Sequence, residues 1–126
     1  MPESGMKAGG SPEELPVRPV APQDLALARE FVQRLSARAA GVHFDVVLYG
    51  SRARGDAGEE SDLDLWVNLR ADDATGAFKA AAREVACDLT LERGLLVSVF
   101  VADRGFQDSH RGHSLVDQVE REGIRL

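Results

Sequence analysis

Two aspartates two residues apart, in Ser61-Asp62-Leu63-Asp64-Leu65, are the residues best spaced for chemistry in this chain. On an extended strand, residues two apart project to the same face, about 6–7 Å apart at the backbone. Their carboxylates can converge on cations roughly 3.5–4 Å apart, the arrangement that clamps an in-line phosphoryl displacement. Oxygen donors of this kind favour Mg²⁺ or Mn²⁺ over zinc. An isolated Asp-x-Asp, by contrast, is ordinarily just the solvated face of a strand.

The segment upstream changes that balance. Gly50-Ser51-Arg52-Ala53-Arg54-Gly55 follows an apolar run, Phe44–Tyr49. A glycine at a strand end lets the backbone approach a phosphate, and the amides of a following helical turn can donate to an anion. Ser51 adds a hydroxyl, and Arg52 and Arg54 add positive charge suited to a triphosphate. Taken singly, these are a turn serine and surface arginines. The Gly-Lys-Ser/Thr ending of a Walker A loop is missing, so this is not a Walker A loop.

The elements that must position these residues are readable from periodicity. Leu25, Ala28, Phe31, Val32, Leu35 and Ala39 recur at helical spacing behind Asp24, a residue suited to capping, and Gly41 stops the run. Phe44–Tyr49 reads as a strand. Asp62–Leu69 alternates, with Leu63, Leu65, Val67 and Leu69 on one face and Asp62, Asp64, Trp66 and Asn68 on the other. Asp72 and Asp73 open a second helix with the stripe Ala74, Ala77, Phe78, Ala81 and Val85. Leu95–Val101 reads as a third, largely buried strand, and Ser114 with Asp117 as a capping box for a last helix ended by Gly123. The order α-β-β-α-β-α implies a small α/β or α+β domain on a short mixed sheet.

Leu48–Gly55, Ser61–Leu65 and the helix before them resemble the core of the minimal nucleotidyltransferases of the DNA polymerase β superfamily. The C-terminal Arg121-Glu122-Gly123-Ile124-Arg125-Leu126 is similar to a tail of its small bacterial members. The resemblance covers most of residues 24–126 and implies a nucleotidyltransferase fold of the DNA polymerase β type. By that resemblance Gly50 and Ser51 hold nucleotide phosphates, and Asp62 and Asp64 bind two Mg²⁺. A nucleoside monophosphate, AMP from ATP, then passes to a hydroxyl of a protein or RNA acceptor, releasing pyrophosphate. Small members of the family are paired with HEPN-domain ribonuclease toxins, some of which they neutralise by adding AMP. The other reading is an antitoxin-like subunit that works by binding a partner rather than by catalysis.

One position departs from the family. Active members usually carry a third acidic residue on the next core strand, and here Ser98 stands in that place. Asp103 has the opposite strand parity, and Asp88 and Glu92 fall at the end of a helix. Among the other residues, His110 and His113 read as loop histidines, Cys87 as a buried helix residue and Tyr49 as a strand aromatic beside the phosphate loop. Trp66 shares the face of the two aspartates, where it can stack on a base or pack under cover.

Composition sets the outer bounds. The 126 residues carry 15 Lys+Arg against 21 Asp+Glu, a net charge of −6, which argues against bulk nucleic-acid binding. A single cysteine excludes an intramolecular disulfide and a cysteine-rich zinc site. All five prolines precede residue 23, so residues 1–22 read as a disordered tail and residues 23–126 as the folded domain. No signal region is visible, and the longest apolar stretch, Leu95–Ala102, is too short to span a bilayer, so the expected location is cytoplasmic.

Overall fold

A computed structural model describes residues 20–55, 61–70 and 75–126. The expected tail before residue 20, the polar loop at 56–60, and Asp72, Asp73 and Ala74 lie outside the described residues. In chain order the elements are α1 (Pro22–Arg38), β1 (Phe44–Tyr49), α2 (Ser51–Arg54), β2 (Leu63–Leu69), α3 (Thr75–Arg93), β3 (Val97–Ala102), α4 (Arg104–Ser109), α5 (Ser114–Glu122) and β4 (Ile124–Arg125).

The four strands form one mixed sheet in the order β3-β2-β1-β4. β1 pairs antiparallel with β2 and with β4, while β2 pairs parallel with β3 through the crossover helix α3. This is the small mixed α/β sheet packed with helices that the sequence implies.

Strand alternation divides the side chains between two faces. Val46 and Leu48 of β1 join Leu63, Leu65, Val67 and Leu69 of β2 and Val97 of β3 under α1 and α3. Those helices contribute Leu27, Ala28, Phe31 and Leu35, and Phe78, Ala82, Val85, Ala86 and Leu89. On the opposite face Val47, Trp66, Ala102 and Val119 form a second, smaller cluster with Tyr49, Phe106 and Val116. The end of that face bearing Asp64 and Ser98 carries the polar residues of interest.

Several expectations are corrected. The N-cap of α1 is Ala21, with Pro22 as the first helical residue; Asp24 makes no cap and is instead buried at 5% exposure. Leu27 and Leu89 belong to the core stripes that the sequence pattern omitted, whereas Ala77 is exposed. β3, expected to be largely buried, is an edge strand whose Ser98 and Phe100 are exposed, while Val97 and Ala102 at its two ends are buried. Cys87 lies on the outer side of α3 and is exposed. His113 rather than Ser114 caps α5, its Nδ1 accepting from the Leu115 amide at 3.3 Å. The helix α4 and the strand β4 are additions that periodicity did not announce, since one has six residues and the other two.

Candidate functional site

β1 ends at Tyr49, and Gly50 then turns the chain at φ 83° and ψ −164° into the single turn of α2. Arg54 N–H donates to the Gly50 carbonyl at 3.2 Å, and Gly55 closes the turn in the left-handed conformation. Cross-strand pairing sets Tyr49 opposite Asp64, and parallel pairing sets Asp64 beside Ser98. A Cβ on Gly50 would overlap the Asp64 carboxylate, so the glycine is what lets the acid lie against the turn. Gly50, Ser51 and Asp64 are thus brought together by the β1–β2 register, with Asp62 just ahead of β2 and exposed.

The electrostatics single out Asp64. Burial pushes its carboxyl above the ordinary carboxylate range, the charge of Asp62 raises it further, and the Arg54 guanidinium opposes both. The phenol of Tyr49 is pushed up by burial and then by the Asp64 charge. Arg54 therefore acts on the site, and it lies 3.6 Å from Glu122 at the end of α5. A cavity of about 190 Å³ adjoins this turn, walled by Tyr49, Gly50, Arg54, Leu115, Gln118 and Glu122. A larger cleft, about 400 Å³, opens on the same face toward the C-terminal end of β2, beside Asn68 and Arg70. Neither Asp62 nor Asp64 lines that larger cleft.

The other residues singled out by the sequence are engaged elsewhere. Arg52, expected to face a triphosphate, donates from Nε to the Ser61 carbonyl at 2.8 Å. Its Nη1 donates to Asp24 Oδ1 and Oδ2 at 2.9 and 3.1 Å. Trp66 is only 4% exposed, packed between Tyr49, Phe100 and Phe106, and its Nε1 donates to Asn68 Oδ1 at 2.9 Å. That packing leaves its ring no face for a base. Asp103 caps α4, accepting from the Phe106 amide at 2.8 Å and from Lys79 at 2.9 Å, and these bonds hold its carboxyl below the usual range. Glu92 pairs with Arg34, and Asp88 is exposed on α3. His110 stacks on Phe106 at a ring separation of 3.9 Å. Among the described residues no group of three His, Cys, Asp or Glu side chains is placed to hold a metal.

Sequence reasoning overlooked one member of this region. Asp24 looked like a helix cap because helix-capping aspartates are common; its pairing with Arg52, 28 residues away, leaves no local signal.

No described helix is long and apolar enough to cross a membrane. A comparison with curated proteins returns no match. Residues 27–124, from the first turns of α1 to β4 and including the Gly50 turn and both aspartates, match the nucleotidyltransferase domain family. With that match spanning most of its length, the chain belongs to the nucleotidyltransferase domain family, whose chemistry is nucleotidyl transfer.

Proposed function

We propose that this chain transfers a nucleoside monophosphate, AMP from ATP, to a hydroxyl on a protein or RNA acceptor, with Asp62 and Asp64 holding Mg²⁺. The observation that carries the reading is the Asp64 carboxylate lying against Gly50, with burial first and the charge of Asp62 second making its ionisation costly. An oxygen-only anionic pair of this kind is relieved by a hard divalent cation, Mg²⁺ or Mn²⁺. Bound there, such a cation would supply charge stabilisation at the attacked phosphorus and its leaving oxygen.

The chain's own groups divide the remaining work. Asp62 and Asp64 would hold the cation, Gly50 and Ser51 would receive the triphosphate, and Arg54 supplies positive charge beside Asp64. Arg52 takes part only indirectly, through Asp24 and Ser61. Ser98 lies beside Asp64, at the strand position where the resemblance would put a third acid to take the acceptor's proton. A hydroxyl has neither the charge to hold a second cation nor the basicity for that step. General-base assistance is typically worth about 10²–10⁴-fold, so turnover in the isolated chain is expected to be weak while nucleotide binding persists.

Two measurements test this. Calorimetry with ATP should show binding that depends on Mg²⁺; its absence with all four nucleoside triphosphates would sink the reading. Transfer of labelled AMP should be slow in wild type, faster in Ser98→Asp and abolished in Asp64→Asn. The first acceptor to try is a HEPN-domain ribonuclease, the partner type of the small proteins this chain resembles. A second reading, a nucleotidyltransferase-like subunit acting by protein binding, is favoured specifically by Ser98. It prevails if wild type and both variants transfer nothing yet the partner still binds.

A further inference from the structure

Arg52 joins three separate pieces of the chain. It rises from α2, immediately after the Gly50-Ser51 turn; its Nη1 is held by both carboxylate oxygens of Asp24 on α1; and its Nε holds the carbonyl of Ser61, one residue ahead of Asp62. The pair is nearly closed to water, with side-chain exposures of 11% for Arg52 and 6% for Asp24. Asp62 itself is exposed and precedes the first paired residue of β2, so its own side chain is not packed in place. The anchors on either side of it are the Ser61 carbonyl, which accepts from Arg52 Nε, and the Leu63 amide, which donates to the Leu96 carbonyl at 2.9 Å. One of the two is therefore set by a side chain whose orientation Asp24 determines.

We propose that Asp24 is a positioning residue: by orienting Arg52 it fixes the Ser61–Asp62 backbone at the mouth of β2 and thereby the place of the Asp62 carboxylate. The idea rests on the proposed role of Asp62 in holding Mg²⁺. A planar guanidinium suits this task because its rigid fork can satisfy a carboxylate and a carbonyl in different directions at once. Lysine, a point charge on a flexible stem, cannot fix both angles. Partners that orient a ligand without touching the metal typically influence metal affinity or activity by roughly 10–100-fold.

Asp24→Asn tests the coupling but leaves a buried guanidinium short of charge, so it is expected to lower the melting temperature as well. An apolar replacement of the pair, Asp24→Leu with Arg52→Met, separates the two effects, because well-packed apolar residues often match a buried ion pair in stability. Three readouts are needed: melting temperature, amide hydrogen exchange at Asp62 and Leu63, and ATP affinity as a function of Mg²⁺. In the double variant the melting temperature should return close to wild type. Exchange at the two amides should still be about tenfold faster. The Mg²⁺ concentration for half-maximal ATP binding should rise by roughly 10–100-fold, with metal-free ATP binding unchanged. Exchange as slow as in wild type, or an unchanged Mg²⁺ dependence in a wild type that binds, overturns the positioning role. Faster exchange in the variants, with no Mg²⁺-dependent binding even by wild type, upholds the positioning of Asp62 and overturns the nucleotidyl-transfer reading instead.

Discussion

At φ 83° and ψ −164°, Gly50 occupies backbone territory that side-chain-bearing residues essentially do not enter, and the Asp64 carboxylate fills the space its Cβ would need. Gly50→Ala should therefore cost about 1–3 kcal/mol through backbone strain alone and displace Asp64 as well. Gly41, at φ 87° with no neighbour close to a Cβ, provides the control. Gly41→Ala should lower the melting temperature yet leave Mg²⁺-dependent ATP binding intact, whereas Gly50→Ala should lose both. Asp64 carries a second expectation at this scale. Its carboxyl is raised by burial and by Asp62, so the stability it contributes is full below the ordinary carboxylate range and lost as pH rises through the raised value. At neutral pH the ionised form is a liability to folding. Asp64→Asn, which resembles the protonated acid, should then melt higher than wild type at pH 7 in the presence of chelator. The difference should vanish below about pH 4. An equal melting temperature at both pH values would show that Asp64 ionises without cost.

Two strands of the sheet differ in kind from what their composition suggests. β3 is apolar almost throughout, Val97-Ser98-Val99-Phe100-Val101-Ala102, yet it lies at the edge and keeps Ser98 and Phe100 exposed. β4 has only two residues, but it covers the outer edge of β1, and Leu126 N–H extends the pairing to the Val46 carbonyl at 3.0 Å. Ile124 and Leu126 also pack against the main core. Gly123 lies in the turn into β4, where a Cβ would overlap Val47, so the segment can approach the sheet only with glycine there. Ending the chain after Glu122 should cost about 2–4 kcal/mol for the partly buried Ile124 and Leu126. It should also turn β1 into an open edge, a template for pairing with other chains. Thermal melting and light scattering check both: a lower midpoint and a growing oligomer fraction are expected. An unchanged monomer would mean that β4 is dispensable to the sheet.

For the whole molecule, the charge balance and the N-terminal composition make the broadest claims. Val20 rests on the core, and α1 begins at Pro22. Deleting residues 1–19 should leave the melting temperature within a few degrees, because a proline-rich segment without aromatics has little apolar surface to contribute. A large drop would assign that segment a place in the fold. The ionic surface between α1 and α3, where Arg34 meets Glu30 and Glu92, and Arg93 meets Glu30, is exposed and is expected to add little.

The residues of the Gly50 turn, Asp62 and Asp64 were legible in the sequence because their signals are local. A glycine after an apolar run, and carboxylates at strand spacing within an alternating segment, are short-range patterns that survive without knowledge of any partner. The two central strands were legible for the same reason: β1 reads as a continuous apolar run, and β2 alternates cleanly from Leu63 to Leu69. What tertiary structure alone decided is everything that depends on which segments become neighbours. The β1–β2 register brought Gly50 to Asp64 and set Tyr49 opposite it; the parallel pairing of β3 put Ser98 beside Asp64. The pairing of Arg52 with Asp24, distant in the chain but adjacent in space, was also set by the fold alone. The edge position of β3 was likewise invisible, since an apolar strand reads alike at the centre and at the rim of a sheet. Local periodicity records which face of an element is apolar; it holds no record of what that face, or a buried charge, will meet.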